Sequence, residues 1–447
     1  MARFIIVVLI ALCTAAPGTV LAQTSGVPDP LPLSGLIDEA LAKSAPLHAA
    51  KSQADAAQSA LEAARSTVFP RVSFVEGWQR GNQPVFVFST LLVSRRFAAD
   101  NFAIEQLNHP AALGSFHATA AVEHLLFDGG ARKAAIGQAA AHATIAALAL
   151  TEAELATIEQ VIELYGRLLS VQATRAATSA ALESAREDLQ LAERRRDAGT
   201  VTEADVLSLQ VHVADLQQRL IQFDGDGVVL RAQLNRLTGA SLTRAFTAVE
   251  PTPGTSPAVP ALADVLADAE ANRPEVKRAA AARSAADEAR RSARAALMPR
   301  VAAQGAVDVA GTRAFDRASS WLVGGEVRWS LGLGGTERAQ LNAATAAAAK
   351  ARADADDAKA QVQVEALTAL RQLETARARQ VVGEAMVTRA RESQRITRDR
   401  YEAGLARVND VLLAAASLLD AEAQRAAAVA DEFTSRARLS RATGHRP

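Results

Sequence analysis

Apolar residues along this chain follow two periods, and the changeover between them occurs twice. From Gly130 to about Ala198, Leu148, Leu155, Ile162 and Leu169 recur every seven residues, with Ile158 and Tyr165 interleaved. That is the seam of a helix packed lengthwise against another. Such a helix is roughly 100 Å long at 1.5 Å per residue. After Ala198-Gly199 a shorter helix returns, with Val206, Leu209, Val213, Leu216, Leu220 and Phe223 at alternating spacings of three and four. A second long helix is predicted from about Thr336 to Ala403, with Gly404 at its end. Glycine suits the left-handed backbone that closes a helix. Each pair therefore reads as an antiparallel coiled-coil hairpin with Gly199 or Gly404 at its tip.

Elsewhere the period is two. Two shorter helices, from about Leu33 to Thr67 and from about Ala261 to Leu297, stop before Pro70-Arg71 and Pro299-Arg300. Proline removes a donor and disfavours helix in the residue before it. Beyond each stop the sequence alternates. Val72, Phe74 and Trp78 oppose Arg71, Ser73 and Gln79. Val301, Ala303, Gly305, Val307 and Val309 oppose Gln304 and Asp308. Trp321, Val323, Val327, Trp329 and Leu331 oppose Glu326, Arg328 and Ser330. The strands are expected at about 71–80, 113–127, 300–310 and 321–331. Nine aromatic residues fall between Phe69 and Phe127, and Phe315, Trp321 and Trp329 lie in the second strand region. Alternating strands with aromatics near their ends fit a lipid-facing barrel wall, although an ordinary half-buried sheet has the same alternation.

The parts recur in register 205 residues apart. Ala198-Gly199 and Asp205-Val206-Leu207 match Ala403-Gly404 and Asp410-Val411-Leu412. Gly129-Gly130 matches Gly334-Gly335, and Thr238-Gly239 matches Thr443-Gly444. This is too long for a solenoid repeat of roughly 20–50 residues. The expected division is a first repeat at 23–246, a proline-rich linker at 247–260 and a second repeat at 261–447. The first strand–loop–strand is longer than the second, and the excess lies around Gln83 to Pro110. In a barrel such a loop belongs at the outer end.

Residues 1–22 read as an export signal: Arg3, the apolar run Phe4 to Leu12, and the small-residue site Val20-Leu21-Ala22. Cys13 falls in the discarded part, because Leu12 is not the small residue that a lipoprotein signal wants. The export signal favours the barrel over the soluble sheet. No later stretch is expected to form a transmembrane helix. Lys and Arg total 49 against 49 Asp and Glu, so there is no basis for nucleic-acid binding. The composition is 4% aromatic and rich in alanine and charge, which favours long helices over a thick core.

Together these features resemble the TolC-like outer-membrane efflux proteins, the outer-membrane factors of tripartite pumps. The carriers are Arg400-Tyr401-Glu402-Ala403-Gly404 through Asp410-Val411-Leu412, their partners from Ala198-Gly199 to Leu207, both Thr-Gly ends and both Pro-Arg junctions. The resemblance covers essentially the whole chain after the signal. It implies a mainly α fold with a β-barrel part, built from a duplicated helix–strand–strand–long-helix–helix unit. Four strands per chain cannot close alone. Three chains supply a twelve-stranded transmembrane barrel, and closure removes the edges that lipid forbids. The helices then form a trimeric periplasmic tunnel. The implied protein is a homotrimer in outer-membrane lipid, docking a periplasmic adaptor and an inner-membrane transporter. It conducts substrates outward and is not an enzyme.

The resemblance also assigns residues. Gly199, Thr200, Val201 and Thr202, with Gly404, Leu405 and Ala406, are the adaptor-contact tips. Asp205 and Asp410 line the periplasmic gate. This chain departs from better-known members there: Leu413 stands where a second aspartate is expected, and Arg407 follows Ala406 where the basic residue would come one position earlier. The alternation at 321–331, read as a barrel wall, is expected to turn Trp321, Val323, Val327 and Trp329 toward lipid and Glu326 and Arg328 toward the lumen. An aspartate in a helix's first turn also has a purely capping use. No cofactor or metal is expected, since the seven histidines form no ligand-spaced helical pair. The competing reading is an exported coiled-coil structural or adhesin protein, which needs no strands between its helices.

Overall fold

The computed structural model describes residues 30–249, 258–313 and 316–446. The expected export signal with Cys13, and most of the proline-rich linker, lie outside them. In chain order the elements are β1 (Pro30–Leu31), α1 (Leu33–Lys43), α2 (Ala45–Ser66), β2 (Arg71–Gly81), α3 (Pro84–Val93), α4 (Ile104–Asn108), β3 (Leu113–Phe127), α5 (Ala131–Asp197) and α6 (Glu203–Leu237). They continue with β4 (Thr247–Ala248), α7 (Leu262–Asn272), α8 (Pro274–Ala295), β5 (Arg300–Arg313), β6 (Asp316–Arg328), α9 (Thr336–Glu402) and α10 (Val408–Ala442).

The two long helices and their returns stand where the heptad seams place them. Leu155, Ile158, Ile162 and Tyr165 of α5 are buried, as are Val206, Leu209 and Leu216 of α6. Gly199 and Gly404 close α5 and α9 with φ of 73° and 76°. At these angles a Cβ would be strained, which is why glycine stands there. Both shorter helices, each expected to be continuous, are broken. Ser44 is extended at φ −64°, ψ 122° between α1 and α2, and Arg273 at φ −58°, ψ 125° between α7 and α8. Pro46 and Pro274 sit in the opening turns of α2 and α8. In one unbroken helix their rings would strike the carbonyls of Ala42 and Glu270, four residues back.

One correction concerns membrane-length helices. Between Lys133 and Glu152, α5 carries no Asp, Glu, Lys or Arg. It contains a window of mean hydropathy 1.4, long and apolar enough to cross a membrane by length and composition. Alanine supplies most of that apolarity, and the same helix continues to Asp197 as a packed coiled coil.

The helices bury two principal cores. One gathers Leu36 and Ala40 with Val161, Leu164, Tyr165, Leu168, Leu234, Leu237 and Phe246. The Tyr165 hydroxyl accepts from the Val249 amide at 2.7 Å, fixing β4 beside β1, its parallel partner. The other joins Val265, Ala269 and Val276 to Val362, Leu370, Leu373 and Leu439. Between the hairpins, Arg438, Arg441 and Arg446 of the final helix and tail pair with Glu163, Glu159 and Glu154 of α5.

The four long strands form one antiparallel sheet in the order β2-β3-β5-β6. The expected strand at 321–331 is displaced. β6 runs from Asp316 to Arg328, so Trp329 lies just beyond it, its indole Nε1 donating to the Leu297 carbonyl at 3.2 Å. The chain from Gln83 to Pro110, expected as a loop, contains α3, a short 3-10 turn at Ala99–Phe102, and α4.

Candidate functional sites

The sheet sorts its side chains by face, and the register makes the sorting continuous across all four strands. Val72, Val122, Gly305 and Val323 are successive cross-strand partners, as are Phe74, Ala120, Val307 and Trp321. Trp78 and Phe116 extend the same face, with ring centroids 6.3 Å apart. The opposite face carries Arg71, Glu123 and Gln304 in one row and Thr119, Asp308 and Ser320 in another. Thr119 donates to Asp308 across the strands at 2.6 Å. Glu326 and Arg328 share this face as an ion pair at 2.7 Å.

Trp321, Val323 and Val327 therefore occupy the apolar face, and with Trp329 they are 63–78% exposed in the single chain. Large apolar groups left uncovered in such a patch call for a non-aqueous partner. Eleven-residue β2 spans about 35 Å, which at a 45° tilt covers about 25 Å, the height of a barrel's apolar band. One ion pair interrupts this face: Glu76, midway along β2, and Arg317, near the start of β6, pair at 3.1 Å beside Phe116.

The second region is the meeting of the hairpin tips. Ala192, Val206, Leu209, Tyr401, Val408 and Val411 form one buried cluster beneath both turns. Gly199, Thr200, Thr202, Gly404 and Leu405 are exposed above it, while Val201 and Ala406 are half-buried. The two aspartates act locally. Asp205 accepts from the Thr202 hydroxyl at 2.7 Å and its amide at 3.2 Å, and Asp410 accepts from the Arg407 amide at 3.0 Å. These bonds satisfy donors at the starts of α6 and α10. Leu413, one turn on from Asp410, is 71% exposed.

Sequence reasoning missed the residues that hold the tips together. Arg195 of α5 donates to the main-chain carbonyls of Tyr401 at 2.8 Å and Glu402 at 2.5 Å. Its guanidinium also lies 5.0 Å from the centre of the Tyr401 ring. Tyr401 is buried, which raises its phenol pKa above the ordinary value. Next to this clasp, Arg398 donates to Glu187 at 2.8 Å and faces Asp188 at 3.2 Å. Asp188 is buried, and burial raises its carboxyl pKa above the usual range, partly opposed by Arg398. The available signal was Tyr401, one of only two tyrosines in the chain. Its partners lie on another helix, so no local spacing marks them.

The model of a family described as "Outer membrane efflux protein" matches residues 36–240 and 265–445. No curated protein matches the sequence significantly. Among solved structures, the outer membrane protein VceC from Vibrio cholerae superposes at a TM-score of 0.79. It has 22% identity, with 93% of this chain and 96% of that one covered. The CmeC outer membrane channel of Campylobacter jejuni gives 0.79 at 16% identity, covering 92% and 85%. The open-state MtrE outer membrane channel of Neisseria gonorrhoeae gives 0.73 at 18% identity, covering 92% and 89%. With a match spanning most of its length and this mainly helical fold, the chain belongs to the TolC-like outer membrane efflux protein family and is an outer-membrane protein of Gram-negative type.

Proposed function

We propose that three copies of this chain form the outer-membrane duct of a tripartite efflux or secretion system. The observation that carries this is the sheet: four strands, one largely apolar face interrupted by the Glu76–Arg317 pair, and open edges at β2 and β6. Unpaired edges cannot stand in lipid. Joining the β6 edge of one copy to the β2 edge of the next removes them and gives twelve strands around a lumen lined by Arg71, Glu123, Asp308 and Arg328. The helices follow the strands across short connections of three to seven residues and form the periplasmic tunnel. The duplicated unit is supported by equal lengths in both halves: 67 and 35 residues for α5 and α6, and 67 and 35 for α9 and α10.

In this reading the hairpin tips form the periplasmic entrance. The exposed turns at Gly199–Thr202 and Gly404–Ala406 meet the adaptor. Asp205, Asp410, Arg407 and Leu413 lie around the opening, and the Arg195–Tyr401 clasp holds each chain's tips together. The mechanism is conduction gated by tip movement, driven by contacts that the adaptor and transporter make with the open state. A coiled-coil adhesin would leave the apolar sheet face unused. Planar-bilayer recording tests the proposal. Purified protein should insert and give discrete conductance steps, and protein that binds lipid without conducting would favour the structural alternative.

A further inference from the structure

The segment joining β2 to β3 is folded on one face of the sheet. It leaves β2 at Gly81, at the end remote from the helices. A Cβ added at Gly81 would meet the Phe86 ring at 3.6 Å. Gly81 and its partner Leu113 belong to the face that carries Arg71, Ser73 and Gln79. On that same face Ser115 and Ala310, small residues near the outer end, are only 7% exposed. Val87 and Thr90 of α3 are buried as well. The segment thus lies against the polar face, opposite Trp78 and Trp321.

Its own interior is built. Phe88 and Phe97 stack edge to face with centroids 4.8 Å apart, and Phe102, exposed at the outside of the segment, stacks on Phe97 at 5.1 Å. It also reaches the far side of its own sheet: Arg95 donates to the Ser319 carbonyl on β6 at 2.9 Å, and Arg96 donates to the Thr312 hydroxyl on β5. Among the described residues Arg95 is the one non-glycine residue with positive φ, at 55°. A long side chain adopts that backbone only where the surroundings fix it. The segment starts on one edge strand and is anchored on the other, so it spans the whole sheet.

We propose that this folded insertion is an apolar constriction at the channel's outer mouth, one copy crossing the lumen face of each chain. The proposal rests on the barrel reading above, which makes the polar face the lumen. Val85, Phe102 and Ile104 stay 65–81% exposed, and Leu92 and Val93 are about half exposed. Three copies bring these side chains together at the exit. An apolar ring around a narrow opening resists wetting. It holds polar solutes of the medium outside, while apolar cargo arriving from the tunnel wets it and passes.

The test is labelling from outside. Ser73→Cys places a thiol on the lumen face beneath the insertion. Intact cells receive a polyethylene glycol maleimide too large for general porins. Two backgrounds remove the constriction: Arg95→Ala with Phe97→Ser, which keeps the chain length, and replacement of 84–110 by a short Gly-Ser linker. Labelling should run about tenfold faster in both than in the otherwise unaltered protein. An equal rate in all three, with trimers intact, overturns the constriction and leaves the duct standing. Absence of trimers and of labelling in the unaltered background overturns the duct and the constriction together.

Discussion

Arg195 ties the tip of one hairpin to the other, and its two bonds go to carbonyls in the last turn of α9, of which Tyr401's also accepts from the Gly404 amide at 3.0 Å. The last carbonyls of a helix lack intrahelical donors, and a charged donor is the strongest added partner. Arg195→Ala should weaken the contact between the two tips by about 1–3 kcal/mol. Bilayer recordings should then show a higher conductance or open probability, and an unchanged channel would remove the clasp from the gating mechanism. Asp188 works in the other direction. Its carboxyl pKa is raised by burial, so its ionised form disfavours the fold; that penalty is absent below the ordinary carboxylate pKa and present once pH rises through the raised value. Asp188→Asn should therefore raise the melting temperature at pH 7.5 and change it little at pH 4. A lower melting temperature at pH 7.5 would mean that the Arg398 pairing outweighs burial. For Asp205 and Asp410, the capping bonds compete with the gate reading. If Asp205→Asn, Asp410→Asn and the double variant all leave block by multivalent cations unchanged, these carboxylates serve helix starts alone. Arg195 and Tyr401 are 206 residues apart, so their pairing left no trace in local spacing. The aspartates, beside a glycine break, were legible, but their hydrogen bonds were not.

At the scale of elements, period-two and period-seven spacing placed the long helices and the sheet because each buries or exposes one side for its whole length. The alternation in β5 and β6 was legible because Val307 and Val309 flank Asp308, and Trp321, Val323 and Val327 fall on one parity with Glu326 and Arg328 on the other. The end of β6 was not, because Trp329 and Leu331 continue the alternation after the ladder stops at Arg328. The short helices, expected to be continuous, are broken at Pro46 and Pro274, whose ring geometry is incompatible with an unbroken helix. The α3 insertion was hidden for a different reason. Pro84 to Val93 is a short, almost wholly apolar run with no periodicity, and such runs do not distinguish helix from strand. Face assignment yields a direct prediction. Val323→Arg, near the middle of β6, should impair assembly by about 2–4 kcal/mol, whereas Arg328→Ser should assemble normally. Heat-modifiable migration of membrane fractions reads both, and the opposite ranking would invert the sheet. At the tips, two bulky residues inserted after Thr200 or Leu405 should abolish efflux while leaving oligomers intact, because these turns are exposed in the chain itself. Full efflux by both variants would place adaptor contacts elsewhere.

For the whole molecule, the spacing of 205 residues is matched by paired helices of equal length, and the halves meet in one sheet through β3 and β5. A single chain holds its hairpins together through α10 and α5, yet it leaves both sheet edges and a broad apolar face uncovered. In the proposed trimer, cyclic joining of β6 to β2 pairs both edges, and the bilayer covers the apolar face. The most direct measurement is the native mass of the protein extracted and held in mild detergent, with a charge reversal at the β2–β6 edge as control. Three chains per particle, resistant to SDS until heated, are expected. A stable, folded monomer under the same conditions would contradict the trimeric barrel, and with it the channel.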